Sequence, residues 1–321
     1  MALIDFKVLP GIDKQDTTSG AENRWVDCDN TRFRYGLPEK VGGWSSLITD
    51  TIVGVARREF AFVDLDGNRY VAIGTDKFLL IYFEGQLYDI TPLKTTLTSA
   101  TLATTDTSAI CSITTGTNHN LSVGDIVLLD TVTLPVGTGY VDADFENKLF
   151  QVTSITSATV FTITQSTAAT ATVGTGGSLS VKPYEQVGPA EQSYGYGWGI
   201  DTWSSGKWGE AASASDVSLE PGLWSLSNFG QVLVSTIANG KTFTWNAGDA
   251  ARLTTRASTA TSGFETTNNP TATRVTLISP TTRHLIHLGT ETTIGDPTTQ
   301  DDMFIRFSDQ EDINDYVPTA I

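Results

Sequence analysis

The chain is short of several residue types, and each shortage excludes something. Two cysteines in 321 residues, Cys28 and Cys111, cannot make a disulfide framework. They lie in segments of very different composition, so a bridge between them is not expected. Basic residues number 20 against 36 acidic, a net charge of −16. A nucleic-acid binder draws most of its affinity from Lys and Arg on phosphates, and this balance repels DNA. It suits instead a surface past which DNA slides without adhering. No apolar run approaches the roughly 18 residues that span a membrane. The opening Met-Ala-Leu-Ile-Asp-Phe-Lys has neither a basic leader nor a long apolar stretch, so no signal peptide is expected and folding in a cytoplasm is.

The motifs of common enzymes are also missing. There is no phosphate-binding loop, no nucleophile elbow and no zinc-ligand spacing. The glycine pattern Tyr194-Gly195-Tyr196-Gly197-Trp198-Gly199 has neither a strand before it nor a helix after it, so it is no dinucleotide fingerprint. Only three histidines exist. His284 and His287, three apart in an expected strand, point to opposite faces, and His119 sits in a polar turn. Asp64-Leu65-Asp66-Gly67-Asn68 has the look of a calcium loop, but position 75, where the bidentate acid belongs, is Thr75. No cofactor is expected.

What remains is a length suited to two domains or one large all-β domain, with aromatics at 9% to build a core. Residues 57–64, 68–74, 77–83 and 86–90 read as four short strands, rich in aromatic and β-branched side chains. Asp66-Gly67 between the first two predicts a type I′ hairpin turn, and Glu84-Gly85 marks a third turn. The expectation is a four-stranded antiparallel meander. At residue 94 the composition changes to Thr, Ser, Ala, Val and Gly, with no Trp, Arg or Met through residue 183. Strands are expected over 108–114, 126–130, 149–155, 159–164 and 178–181, enough for a small inserted β-barrel with one wet face to its strands.

Residues 184–321 return to the earlier style. Segments 223–227, 231–237 and 241–245 predict a second meander with Asn239-Gly240 at its sharpest turn, and 274–279, 283–289 and 303–308 a third. The spacing of the last two approaches the blade period of a β-propeller. The expected fold is therefore all-β: propeller-like antiparallel meanders, incomplete in this chain, over 1–93 and 184–321, with a barrel domain inserted at 94–183. Residues 312–321 hold no strand that could close a ring of blades.

Two groups of side chains stand out as candidates. Tyr194, Tyr196, Trp198, Trp203 and Trp208 lie among Gly and Ser, a pattern that lays flat aromatic faces onto a partner. Packing into an oligomer interface or a neighbouring blade is the first reading of them, and stacking on sugars the second. Asp301, Asp302, Asp309, Glu311, Asp312 and Asp315 form an acidic cluster, read as a solvated rim before a cation site.

Several of these pieces together resemble a tailed-phage virion protein. The run from Trp25-Val26-Asp27-Cys28-Asp29-Asn30-Thr31-Arg32-Phe33-Arg34-Tyr35-Gly36 through Gly42-Gly43-Trp44 resembles the opening of podovirus tail nozzle proteins, also called tail tubular protein B. The inserted segment is similar to small β-barrels named after a half-domain of ubiquitin-activating enzyme, through His119, Leu121-Ser122-Val123-Gly124-Asp125, 150–155 and 161–163. The Gly/Trp loop and the Phe307-Ser308-Asp309…Tyr316-Val317-Pro318 ending look like blade motifs of these nozzles. The resemblance implies a non-enzymatic virion protein, made in the host cytoplasm and built into the phage tail. It implies a homo-oligomeric, hexameric ring beside tail adaptor and tail fibre proteins, with genomic DNA passing through its channel unbound. Residues 184–321, at 16 acidic against 7 basic, would then face the lumen. The alternative is a carbohydrate-binding phage adhesin using Trp198, Trp203 and Trp208 as platforms. A propeller hydrolase with paired carboxylates comes third, and no acid pair can be placed for it.

Overall fold

The computed structural model describes residues 8–43, 45, 46, 48, 50–191, 220–258 and 269–316. The chain forms two compact units, Met1–Thr49 and Asp50–Ile321. In the first, strands β1 (Leu9–Ile12) and β2 (Arg24–Trp25) pair in parallel, while β3 (Thr31–Arg34) and β4 (Leu37–Lys40) form an antiparallel hairpin. Tyr35 and Gly36 occupy the two turn positions at φ 53° and 79°, the double positive φ of a type I′ turn.

The second unit is all-β among its described residues, apart from two single 3₁₀ turns. Strands β5 (Ala56–Val63), β6 (Arg69–Thr75), β7 (Leu79–Phe83) and β8 (Gln86–Asp89) form the expected antiparallel meander. The β7–β8 turn is Glu84-Gly85 with both φ positive. The β5–β6 turn is not type I′, because only Gly67 has positive φ. The Asp64 carboxylate explains the difference. It accepts hydrogen bonds from the Asp66 and Asn68 backbone N–H groups at 2.9 and 2.8 Å, and from Asn68 Nδ2 and the Tyr70 hydroxyl. That closes a longer loop in which Gly67 alone supplies the left-handed residue.

Strands β9 (Leu97–Thr104), β10 (Ile110–Thr114), β11 (Ile126–Thr133), β12 (Lys148–Ser157), β13 (Val160–Thr164) and β14 (Val173–Pro183) close into a barrel in the order β10-β13-β12-β11-β14-β9. Its interior is a core of its own, centred on Leu102, Ile113, Leu129, Phe145, Phe161 and Leu179. Register irregularities along β14 and β12 bend the sheet enough to close it. Threonine and serine face outward, and at the bulge in β12 the consecutive Thr153 and Ser154 both reach the Thr162 hydroxyl at 2.8 Å. Strand β9 was not anticipated, since its buried positions are mostly small: Ala100, Leu102 and Thr104.

After the barrel come β15 (Trp224–Phe229), β16 (Val232–Ile237) and β17 (Thr242–Asn246), then β18 (Thr273–Ile278), β19 (Leu285–Thr290) and β20 (Ile305–Phe307), two three-stranded antiparallel sheets. The three meanders pack in chain order. Between the first and second lies an aromatic core: Tyr70 stacks on Phe83 and Phe62 at 4.7 and 5.4 Å and meets Trp245 edge-on at 5.7 Å. Gly74 lets Trp224 lie against the β6 backbone, where its indole N–H donates to the Thr75 carbonyl at 2.9 Å. Val234 joins the second sheet to Leu285 of the third, with Ile313 and Tyr316 in the same cluster.

Candidate functional site

The interface between the second and third sheets carries a hydroxyl layer beside its apolar contacts. Opposite residues of adjacent strands share a face, so Thr236 and Thr242 stand together, as do Thr276, His287 and Arg306. The Thr236 hydroxyl lies 2.8 Å from those of both Thr242 and Thr276. His287 Nδ1 is 3.1 Å from the Thr273 hydroxyl and Nε2 is 2.9 Å from the Tyr316 hydroxyl. All of these groups except the half-buried Arg306 are buried. Burial first, and the nearby Arg306 charge second, lower the His287 pKa from 6.5 to about 3, so the ring is neutral. Glu291, fully buried beside this layer, accepts from the Thr271 backbone and hydroxyl at 3.1 and 2.8 Å and from the Gly295 N–H. Sequence reasoning placed these strands in the second and third meanders without assigning their faces, so the layer was not seen.

The acidic candidates flank β20. Asp301 and Asp302 precede it, and Asp309 through Asp315 form the turn that follows. Each aspartate has local work. Asp301 accepts from the Met303 N–H at 2.9 Å, Asp309 from Gln310 at 2.7 Å and Asp312 from Asn314 at 2.9 Å. Asp302 pairs with Arg274 at 2.8 Å. The later turn closes where the Asp309 N–H donates to the Asp315 carbonyl, and Glu311 N–H to that of Arg283. Five of the six acids are exposed and Asp315 is half-buried. The short bonds fix the turns and leave the charges toward solvent. Among the described residues no group of three or more His, Cys, Asp or Glu is placed to hold a metal ion.

The other singled-out residues are dispersed. His284 Nδ1 lies 2.8 Å from the Ser308 carbonyl. His119 is buried rather than exposed in its turn: the Leu121 N–H donates to its Nδ1 at 2.9 Å, which leaves Nε2 to donate to the Ser157 carbonyl at 3.0 Å. Its ring meets Phe161 edge-on. Cys28 and Cys111 are both free thiols. Tyr194, Tyr196, Trp198, Trp203 and Trp208 lie outside the described residues.

Where the barrel joins the first sheet, Arg256 clamps Asp89 at 2.9 Å and the Tyr184 hydroxyl at 2.6 Å, and that hydroxyl donates to Asp89 at 2.6 Å. Burial, followed by the Asp89 charge, pushes the Tyr184 phenol well above its usual range. Beside this clamp a cleft of about 530 Å³ runs between Asp76, Lys77, Asp125 and Glu185. Asp76 accepts from the Val55 N–H at 2.6 Å and Asp125 from the Ser122 N–H at 3.0 Å. Burial raises the Asp125 pKa. Among the described residues no hydrogen bond joins two titratable side chains of the cleft wall. No described helix is long and apolar enough to cross a membrane, which leaves β-barrels unaddressed.

No protein-family model matches the chain, and no curated protein matches it. Among solved structures it is similar to a phage phi92 endosialidase, at 15% sequence identity and a TM-score of 0.23. That match covers 77% of this chain and 34% of the other. A likeness of this size says nothing of a shared activity.

Proposed function

We propose that the chain is a structural protein of a phage tail, one subunit of a ring-shaped nozzle that extends the DNA-ejection channel, and not an enzyme. The observation that carries this reading is the packing of three antiparallel meanders face against face in chain order, with a barrel inserted after the first. Such stacking suits repetition around an axis. The sequence resemblance to tail nozzle proteins supplies the identity of that ring.

The charge supports it from a second direction. Of the exposed carboxylates around β20, Asp302 pairs with Arg274, while Asp301, Asp309 and Asp312 sit on turns fixed by their own hydrogen bonds and present charge to solvent. A wall of them repels phosphates and lets DNA pass. The buried histidine and glutamate are engaged by partners in the third sheet and its flanking segments, which suits a structural role. Negative-stain imaging of the purified full chain tests the proposal: a sixfold ring with an axial hole is expected. Single compact particles at every concentration overturn it.

A further inference from the structure

The third sheet carries apolar side chains on both faces. Its inward rows are the polar Thr276–His287–Arg306 and the apolar Ile278–Leu285, while its outward rows are Val275–Leu288–Ile305 and Leu277–Ile286–Phe307. Phe307 is 64% exposed, Ile305 59%, Val275 45% and Leu277 39%, with Ile286 and Leu288 half-buried between them. A sheet with one wet face normally buries its apolar side, and soluble monomers seldom show contiguous apolar patches of this kind.

The geometry points to a head-to-tail contact in which this face receives the outer face of β5–β8 from a second copy of the chain. Alternate residues of β5–β8 face the aromatic core, so Ala61, Val71, Tyr82 and Leu87, paired in one row, face away from it. Ala61 and the neighbouring Val63 are exposed, and the other three are half-buried. The two apolar faces are therefore the two ends of one stack, and joining them continues the packing that already unites the sheets within the chain. Self-pairing of the third sheet fits poorly. It would bring the acids at both ends of β20 against their own copies, and like charges so placed repel. The β5–β8 face carries Glu59 and Arg69 rather than an acidic cluster. Because the two surfaces differ, the contact is heterologous and builds rings or open arrays, never a closed symmetric dimer.

This deepens the ring reading and rests on it only for its purpose in the virion. Sedimentation velocity on the full chain tests it, with Phe307→Asp disabling one end and Tyr82→Asp the other. Wild type is expected to assemble with rising concentration, and each variant to associate at least about 30-fold more weakly. An equimolar mixture of the two variants keeps one intact pair of faces and is expected to give a 1:1 heterodimer. Should Tyr82→Asp fail to fold by circular dichroism, Ala61→Asp, at an exposed position in the same row, replaces it, and Ile305→Asp stands in likewise for Phe307→Asp. A wild type that stays monomeric, a folded variant that assembles normally, or a mixture that stays monomeric each overturns the contact. Rings that persist with Phe307→Asp defeat this contact and leave the nozzle reading standing, whereas heterodimers without rings do the reverse.

Discussion

Acid should loosen the third sheet, and with it the joint to the second, through His287. His287 is fully buried, and both ring nitrogens are engaged by hydroxyls, those of Thr273 and Tyr316. Its pKa falls from 6.5 to about 3 on folding, through burial and then the charge of Arg306, which faces it from β20. A base whose pKa is lowered by folding binds its proton more readily in the unfolded chain. Its contribution is therefore complete above about pH 6.5 and is lost as the pH falls toward 3. Each pH unit across that window is about 1.4 kcal/mol. At pH 5, roughly 1.5 units into it, the loss is about 2 kcal/mol, a large share of the stability of an ordinary domain.

Urea unfolding followed by tryptophan fluorescence reports on this joint, since Trp224 and Trp245 sit in the adjoining sheet. His287→Gln retains a hydrogen-bonding side chain and removes the titration. Between pH 7.5 and 5 the wild type is expected to lose about 2 kcal/mol more than the variant. In parallel, the His287 imidazole resonance should show no protonation down to about pH 4. Equal losses in the two proteins, or a resonance that titrates near 6.5, refute a neutral buried imidazole.

Two further substitutions examine the joint between the first two sheets and the segments that flank the third. A Cβ at Gly74 would lie 2.6 Å from Trp224 Cδ1, so Gly74→Ala should force the first two sheets apart and destabilise by about 1–3 kcal/mol. A urea midpoint unchanged from wild type contradicts that packing. Glu291→Ala removes the acceptor of the Thr271 and Gly295 donors and should cost about 2–4 kcal/mol, because buried donors are left unpaired. A thermal midpoint within a degree of wild type would show that those donors find other partners.

The meanders and the barrel were legible in the sequence because their apolar residues alternate and their turns carry Gly or Asn. The exceptions have physical causes. The turn at Asp66-Gly67 departs from type I′ because Asp64, two residues earlier, captures the local N–H groups with its side chain, and a dipeptide rule does not see it. Strand β9 hid because Ala100 and Thr104 fill the barrel wall where larger residues mark other strands. The hydroxyl layer hid for a subtler reason. In β17, Thr242 and Thr244 alternate with Phe243 and Trp245, the pattern of a sheet with one face in water. Here both faces are covered, and the threonines satisfy one another, so polarity marks an interface rather than solvent. Five of the six acidic candidates are exposed, and local hydrogen bonds give Asp301, Asp309 and Asp312 a structural role that composition alone does not show.

The two internal joints differ in what they demand. The first, between β5–β8 and β15–β17, is held by ring packing and a glycine-sized gap, and tolerates small adjustments of aromatic planes. The second, between β15–β17 and β18–β20, combines Val234 against Leu285 with one hydroxyl bridge across it, Thr236 to Thr276 at 2.8 Å, beside hydroxyls that are satisfied within each sheet. A shift of one residue there would strand buried donors without partners, each at about 1–3 kcal/mol. The sheets therefore cannot exchange places, since neither joint accepts the other's surface. A stack with unlike joints and unlike ends has a direction, and association that continues it must run head to tail. That directionality, more than any single side chain, is what a subunit of a ring requires.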